Sequence, residues 1–115
     1  MKPAATEYID SIISSLKKID PFKVILLGST AQDKTHADSD IDLVVILDTD
    51  TLPKSYDEKL ENKVKVRDAI LKISMEIPVD LLVYSRSEYN KFLELNSTFA
   101  KEIQRTGKVL YEKVS

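Results

Sequence analysis

Cysteine is absent from the 115 residues and histidine occurs once. Without thiols there are no disulfides and no thiolate metal sites, and one imidazole is too few for the zinc sites that proteins build from cysteine and histidine. Any metal is therefore to be held by oxygen. Only two glycines and four prolines are present, beside 43% apolar and 31% charged residues, so the chain is not of the low-complexity or disordered kind. No apolar run approaches the length of a membrane span, and Met1 to Tyr8 lacks the apolar core of a signal peptide. The expectation is a soluble cytoplasmic protein without membrane contact. A net charge of -2 argues against general attraction to nucleic acid and leaves room only for a local basic patch. The length suits one domain, residues 1–115, with a core that needs no staples.

Within that frame, Ala5, Tyr8, Ile9, Ile12, Ile13 and Leu16 recur at three-and-four spacing and predict an amphipathic helix over residues 4–18, ended by Asp20-Pro21. Phe22 to Leu27 is short, apolar and closed by Gly28, which predicts a buried strand; Thr30 to Lys34 reads as a short helix or turn. Ile41 to Leu47 predicts a second strand, and Asp48 to Lys54, with Pro53, a connection. Ser55 with Glu58 has the spacing of a capping box and predicts a helix from Tyr56 to Ile73. On that helix Lys59, Lys63, Lys65, Arg67 and Lys72 read as a solvated face. Val79 to Tyr84 is a third strand, Ser87 to Leu95 a short helix, Asn96 or Ser97 the cap of another that stops before Gly107, and Lys108 to Glu112 a last strand. This order implies helices packed on a mixed sheet, an α+β fold. The face shared by Asp42, Asp80, Val44, Ile46, Leu82 and Tyr84 has only the two short helices to cover it, and is expected to keep exposed apolar surface.

The chemistry concentrates between residues 28 and 42. Gly28-Ser29 at a strand end serves as an ordinary turn in most proteins, but it also lets phosphate approach backbone amides beside a hydroxyl donor. It has neither the lysine of a Walker A loop nor the repeated glycines of a dinucleotide fold. Residues i and i+2 of a strand share a face, so Asp40 and Asp42 stand side by side and repel unless a divalent cation such as Mg2+ lies between them. Asp42 precedes five apolar residues and Asp80 lies between Val79 and Leu81. A carboxylate entering a core costs free energy unless it is paired or metal-bound. The expectation is three carboxylates entering the core at the ends of two strands around a shared metal. His36 reads as an exposed loop residue, and Tyr84, Tyr89 and Tyr111 as tyrosines at core edges.

These residues resemble a known family. Gly28-Ser29, ten residues, then Asp40-Ile41-Asp42 match the Gly-Ser-x10-Asp-x-Asp signature of the nucleotidyltransferase superfamily related to DNA polymerase beta, and Asp80 stands where its third carboxylate is expected. Small size and the ending Gly107 to Glu112 are similar to a minimal nucleotidyltransferase, the type often encoded with a HEPN-domain partner. Many relatives have Ala-Arg-Gly after the Gly-Ser turn, where this chain has Ala31-Gln32-Asp33. The resemblance implies the nucleotidyltransferase-type mixed sheet and two Mg2+ ions, or Mn2+, held by Asp40, Asp42 and Asp80. It implies catalysis by these carboxylates, with Gly28 and Ser29 holding the phosphates of ATP or another nucleoside triphosphate. AMP would pass to a hydroxyl of a protein or nucleic acid, and the chain would be the antitoxin of a HEPN pair or a homo-oligomer. The alternatives are an antitoxin acting by contact alone, and a transferase modifying small molecules such as antibiotics.

Overall fold

Residues 5–27, 41–49 and 55–113 are described by a computed structural model. Helix α1 (Ala5–Lys17) buries Ile12 and Leu16 completely on its apolar side. The chain then turns through Asp20 at a φ of 53°, a left-handed conformation that aspartate tolerates better than most residues, into Pro21 and strand β1 (Lys23–Leu27). Strand β2 (Ile41–Leu47) returns antiparallel to it, with Leu26 opposite Leu43 and Leu27 opposite Asp42.

Helix α2 (Tyr56–Ala69) opens where Ser55 accepts a hydrogen bond from the Glu58 amide at 3.2 Å. It does not run unbroken to Ile73. Ile70 leaves helical geometry at φ −115°, ψ 20°, its amide bonding back three residues to the Arg67 carbonyl, and one further turn, α3 (Leu71–Ser74), follows. Ile70 is fully buried, as is Ile77 beyond the turn, and the break delivers both to one core cluster before Pro78 starts the next strand. Strand β3 (Val79–Ser85) lies parallel to β2, α4 (Arg86–Glu94) and α5 (Thr98–Thr106) follow, and β4 (Lys108–Glu112) closes antiparallel on β1. The sheet order is β3-β2-β1-β4.

One face of the sheet packs Val24, Leu26, Leu43, Val45 and Leu81 under α1 and α2; the other packs Ile25, Val44 and Ile46 under Tyr89 and Leu93 of α4 and Ile103 of α5. The expectation that this second face keeps exposed apolar surface is corrected for its centre. Val44 and Ile46 have no accessible surface, because α4 and α5 lie across β1 and β2. Exposed apolar surface on this face remains at Leu82, on the edge strand. Among the described residues, no helix is long and apolar enough to cross a membrane.

Candidate active site

Parallel pairing of β2 and β3 aligns Ile41 with Val79 and Asp42 with Asp80. Since strand side chains alternate, Asp42 and Asp80 leave the same face in adjacent strands, with Leu27 next to them as the β1 partner of Asp42. This row sits where β1 ends and β2 and β3 begin, before α4 and α5 cover the sheet. The carboxylates therefore do not enter the core as expected. Asp80 is exposed and Asp42 half-buried, and both open into a cleft of about 670 Å³ that wraps the end of the sheet. Gly28, Ser29 and Asp40, like Gln32, Asp33 and His36, lie outside the described residues.

The remaining walls come from both layers. Leu43, Val79, Leu81 and Ile70 supply apolar surface from the α1/α2 side, and Glu102 and Thr106 reach in from α5. Glu102 holds Arg105 at 2.8 Å, so its charge is balanced locally. Lys63 and Arg67, one turn apart on α2, also line the cleft. Both are exposed, as the reading of a solvated face expects, and the same helix side borders the cleft, while Lys59 pairs with Glu88 at 3.4 Å. Their sequence signal was a shared helix side with Leu60.

Two carboxylates in register on one face are an oxygen donor set suited to Mg2+ or Mn2+. Among the described residues no group of three acidic or histidine side chains is assembled. The tyrosines are core-edge residues as expected. Tyr89 is buried in the second cluster, burial pushing its hydroxyl pKa up, and Tyr84 meets Phe92 edge to face at 4.9 Å.

The opposite end of the sheet carries a different charge cluster. Lys113 donates to Asp20 at 2.8 Å and to Asp48 at 2.6 Å, and Arg86 approaches the other oxygen of Asp48 at 3.2 Å. The hydrogen bond from Lys113 holds the Asp48 carboxyl below its ordinary pKa, and its two carboxylate partners push the Lys113 ammonium pKa up. This cluster joins β4 to the ends of β1 and β2, away from the cleft, and reads as structural.

The family model "Polymerase beta, Nucleotidyltransferase" matches residues 7–115. No curated protein matches the chain. Among solved structures, the chain is similar to a toxin–antitoxin crystallised with AMP-PNP, at 21% identity and a TM-score of 0.53, over 91% of this chain and 73% of that one. It is also similar to two mutant forms of the toxin–antitoxin MntA-HpeT. One aligns at 19% identity and a TM-score of 0.52 over 91% of this chain and 73% of that one. The other aligns at 23% and 0.51, over 90% and 72%.

Proposed function

The chain belongs to the polymerase beta nucleotidyltransferase family, and from that premise we propose that it transfers AMP from ATP to a hydroxyl of a partner protein. The observation that carries this reading is the register pairing of Asp42 with Asp80 at the open end of the sheet. Asp42 and Asp80, joined by Asp40, would hold two Mg2+ ions, or Mn2+. Bound there, the metal neutralises phosphate charge and lowers the pKa of the attacking hydroxyl. Gly28 and Ser29 would hold the triphosphate through amides and a hydroxyl. The acceptor oxygen attacks the α-phosphorus, its proton passes to Asp80, and the bond to pyrophosphate breaks with the electron pair leaving on pyrophosphate. Positioning and charge supply most of the catalysis. ATP as donor is supported by the AMP-PNP in one structure of similar fold. A toxin partner is supported by the toxin–antitoxin complexes among these structures, and its HEPN type rests on the sequence resemblance alone.

The test combines binding and turnover. A ligand that binds only the folded state stabilises it by about 2.7 kcal/mol at about a hundredfold excess over Kd, so Mg-ATP is expected to raise the melting temperature by several degrees. Asp42→Asn is expected to abolish the rise and the transfer of label from α-labelled ATP to a co-expressed neighbouring protein. An equal melting shift in the variant overturns the metal-site reading, and an inert complex without label replaces transfer by inhibition through contact.

A further inference from the structure

The cleft does not end at Asp80. It shares Lys63, Leu81 and Leu82 with a second groove of about 230 Å³, lined by one side of α2 and by four consecutive residues of β3, Leu81 to Tyr84. Consecutive strand residues point to opposite faces, so a groove that all four line must run along the edge of the strand. Among the described residues β3 pairs only with β2, which leaves the backbone N–H and C=O groups of that edge without a strand neighbour. The opposing side of α2 presents Tyr56, Lys59, Leu60 and Lys63, and Arg67, one turn beyond Lys63, lines the adjoining cleft. Tyr56 is 77% exposed, Leu60 45% and Leu82, across from them, 39%. Neither Lys63 nor Arg67 forms an ion pair among the described residues.

An open strand edge, exposed apolar side chains and cations without an ion-pair partner among the described residues describe the surface that an extended peptide recognises. We infer that this groove docks an extended, acidic segment of a partner protein as an added strand on β3 and leads its hydroxyl to Asp80. Delivery to Asp80 rests on the nucleotidyl-transfer reading; docking in the groove does not. The charge sets the occupant. Lys63 and Arg67 attract carboxylates flanking the hydroxyl, whereas the net charge of -2 and the exposed leucines do not suit a polynucleotide, which calls for a dense cationic surface. The topology sets the direction. β3 lies on the far side of β2 from β1, so an acceptor entering along β3 approaches the carboxylates from the side opposite Leu27, where β1 runs into Gly28-Ser29.

The probe is a fluorescein-labelled random copolymer of glutamate and tyrosine, compared with a lysine–tyrosine copolymer and with polyuridylate. Anisotropy titration of the full chain is expected to favour the acidic copolymer. The double variant Lys63→Glu/Arg67→Glu should lose at least tenfold in affinity, Lys63→Gln/Arg67→Gln should fall between, and both should keep the wild-type melting temperature in the absence of ATP. Label transfer from ATP to the acidic copolymer should fall in the same order. Equal affinity in wild type and charge-reversed protein overturns the inference, as does preference for the basic copolymer or for polyuridylate, or light scattering that shows a second copy of the chain released by these substitutions. A wild type that binds the acidic copolymer through Lys63 and Arg67 but shows no Mg-ATP shift keeps the docking site and removes the transferase reading.

Discussion

Ser85 is fully buried where β3 becomes α4, the buried polar side chain of the described core. Its hydroxyl accepts from the Glu88 amide at 3.1 Å while its own amide donates to the Glu88 carboxylate at 3.0 Å, a reciprocal cap that satisfies two amides at a helix start. Ser85→Ala is expected to cost about 1 kcal/mol or somewhat more in urea unfolding, because the Glu88 amide would then lie without its acceptor. Gly107, between α5 and β4, has ordinary extended angles, and its lack of a side chain matters for space. A Cβ there would lie 2.5 Å from the Ile103 carbonyl oxygen and 2.8 Å from Ile25. The carbonyl belongs to the helix and cannot move alone, so Gly107→Ala is expected to destabilise by about 1–3 kcal/mol, measured by thermal unfolding. Asp80 is the contrasting residue. It is exposed at the sheet end, so Asp80→Asn should leave the stability of the metal-free protein within about 0.5 kcal/mol, and a loss of several kcal/mol would show that it serves the fold.

Among the elements, the Lys113 cluster makes the closure of β4 depend on pH. The Asp48 carboxyl titrates below its ordinary value of 3.8 in the folded protein, so its contribution is present above that value and is lost as pH falls through the lower folded one. The Lys113 ammonium has a raised pKa, and its contribution holds below the ordinary 10.5 and is lost only as pH rises through the higher folded value. Urea midpoints of wild type and Lys113→Met, measured from neutral pH downward, should therefore differ at neutral pH and converge as pH falls through the lowered folded value of Asp48. The elements themselves were mostly legible in the sequence. The helical spacing of Ile12 and Leu16, the apolar run from Leu43 to Leu47 and the side of the sheet taken by Val44 and Ile46 all follow from periodicity alone. Less legible was the break at Ile70, because no glycine or proline marks it and the cause is burial of Ile70 and Ile77 together. The Ser85 cap has the same Ser-x-x-Glu spacing as Ser55 with Glu58, yet it coincides with the last residue of a strand, and the strand's own pattern masked it.

At the scale of the whole molecule, sheet order and register decide what the site is, and neither is written in local sequence. Asp42 and Asp80 were recognisable as anomalous carboxylates, but their expected burial was wrong because sequence does not show how far α4 and α5 extend over the sheet. Lys63 and Arg67 read from sequence only as part of a solvated face, because charged and apolar residues interleave around α2 and nothing local shows that this side borders the cleft. The groove lined by Lys63, next to the cleft lined by Arg67, bears on assembly. With the proposed acidic partner present, size-exclusion chromatography with light scattering should show a hetero-complex whose retention weakens as salt is raised, since screening at higher ionic strength removes the attraction of exposed cations first. A salt-insensitive complex would place the interface on another surface.

The parallel pairing of β2 with β3 also has a kinetic meaning. Strand β1 pairs with its sequence neighbour β2, whereas β2 meets β3 only after α2 and α3 have crossed the sheet, so the loop-closure entropy of that crossover must be met before Asp42 and Asp80 stand side by side. In a refolding experiment started from urea, helical circular dichroism should recover before the proposed binding of Mn2+, detected by paramagnetic relaxation. The metal would then act as a reporter on that non-local contact of the sheet, and Leu81→Ala, at the heart of that contact, should slow the appearance of Mn2+ binding more than it slows the return of helix.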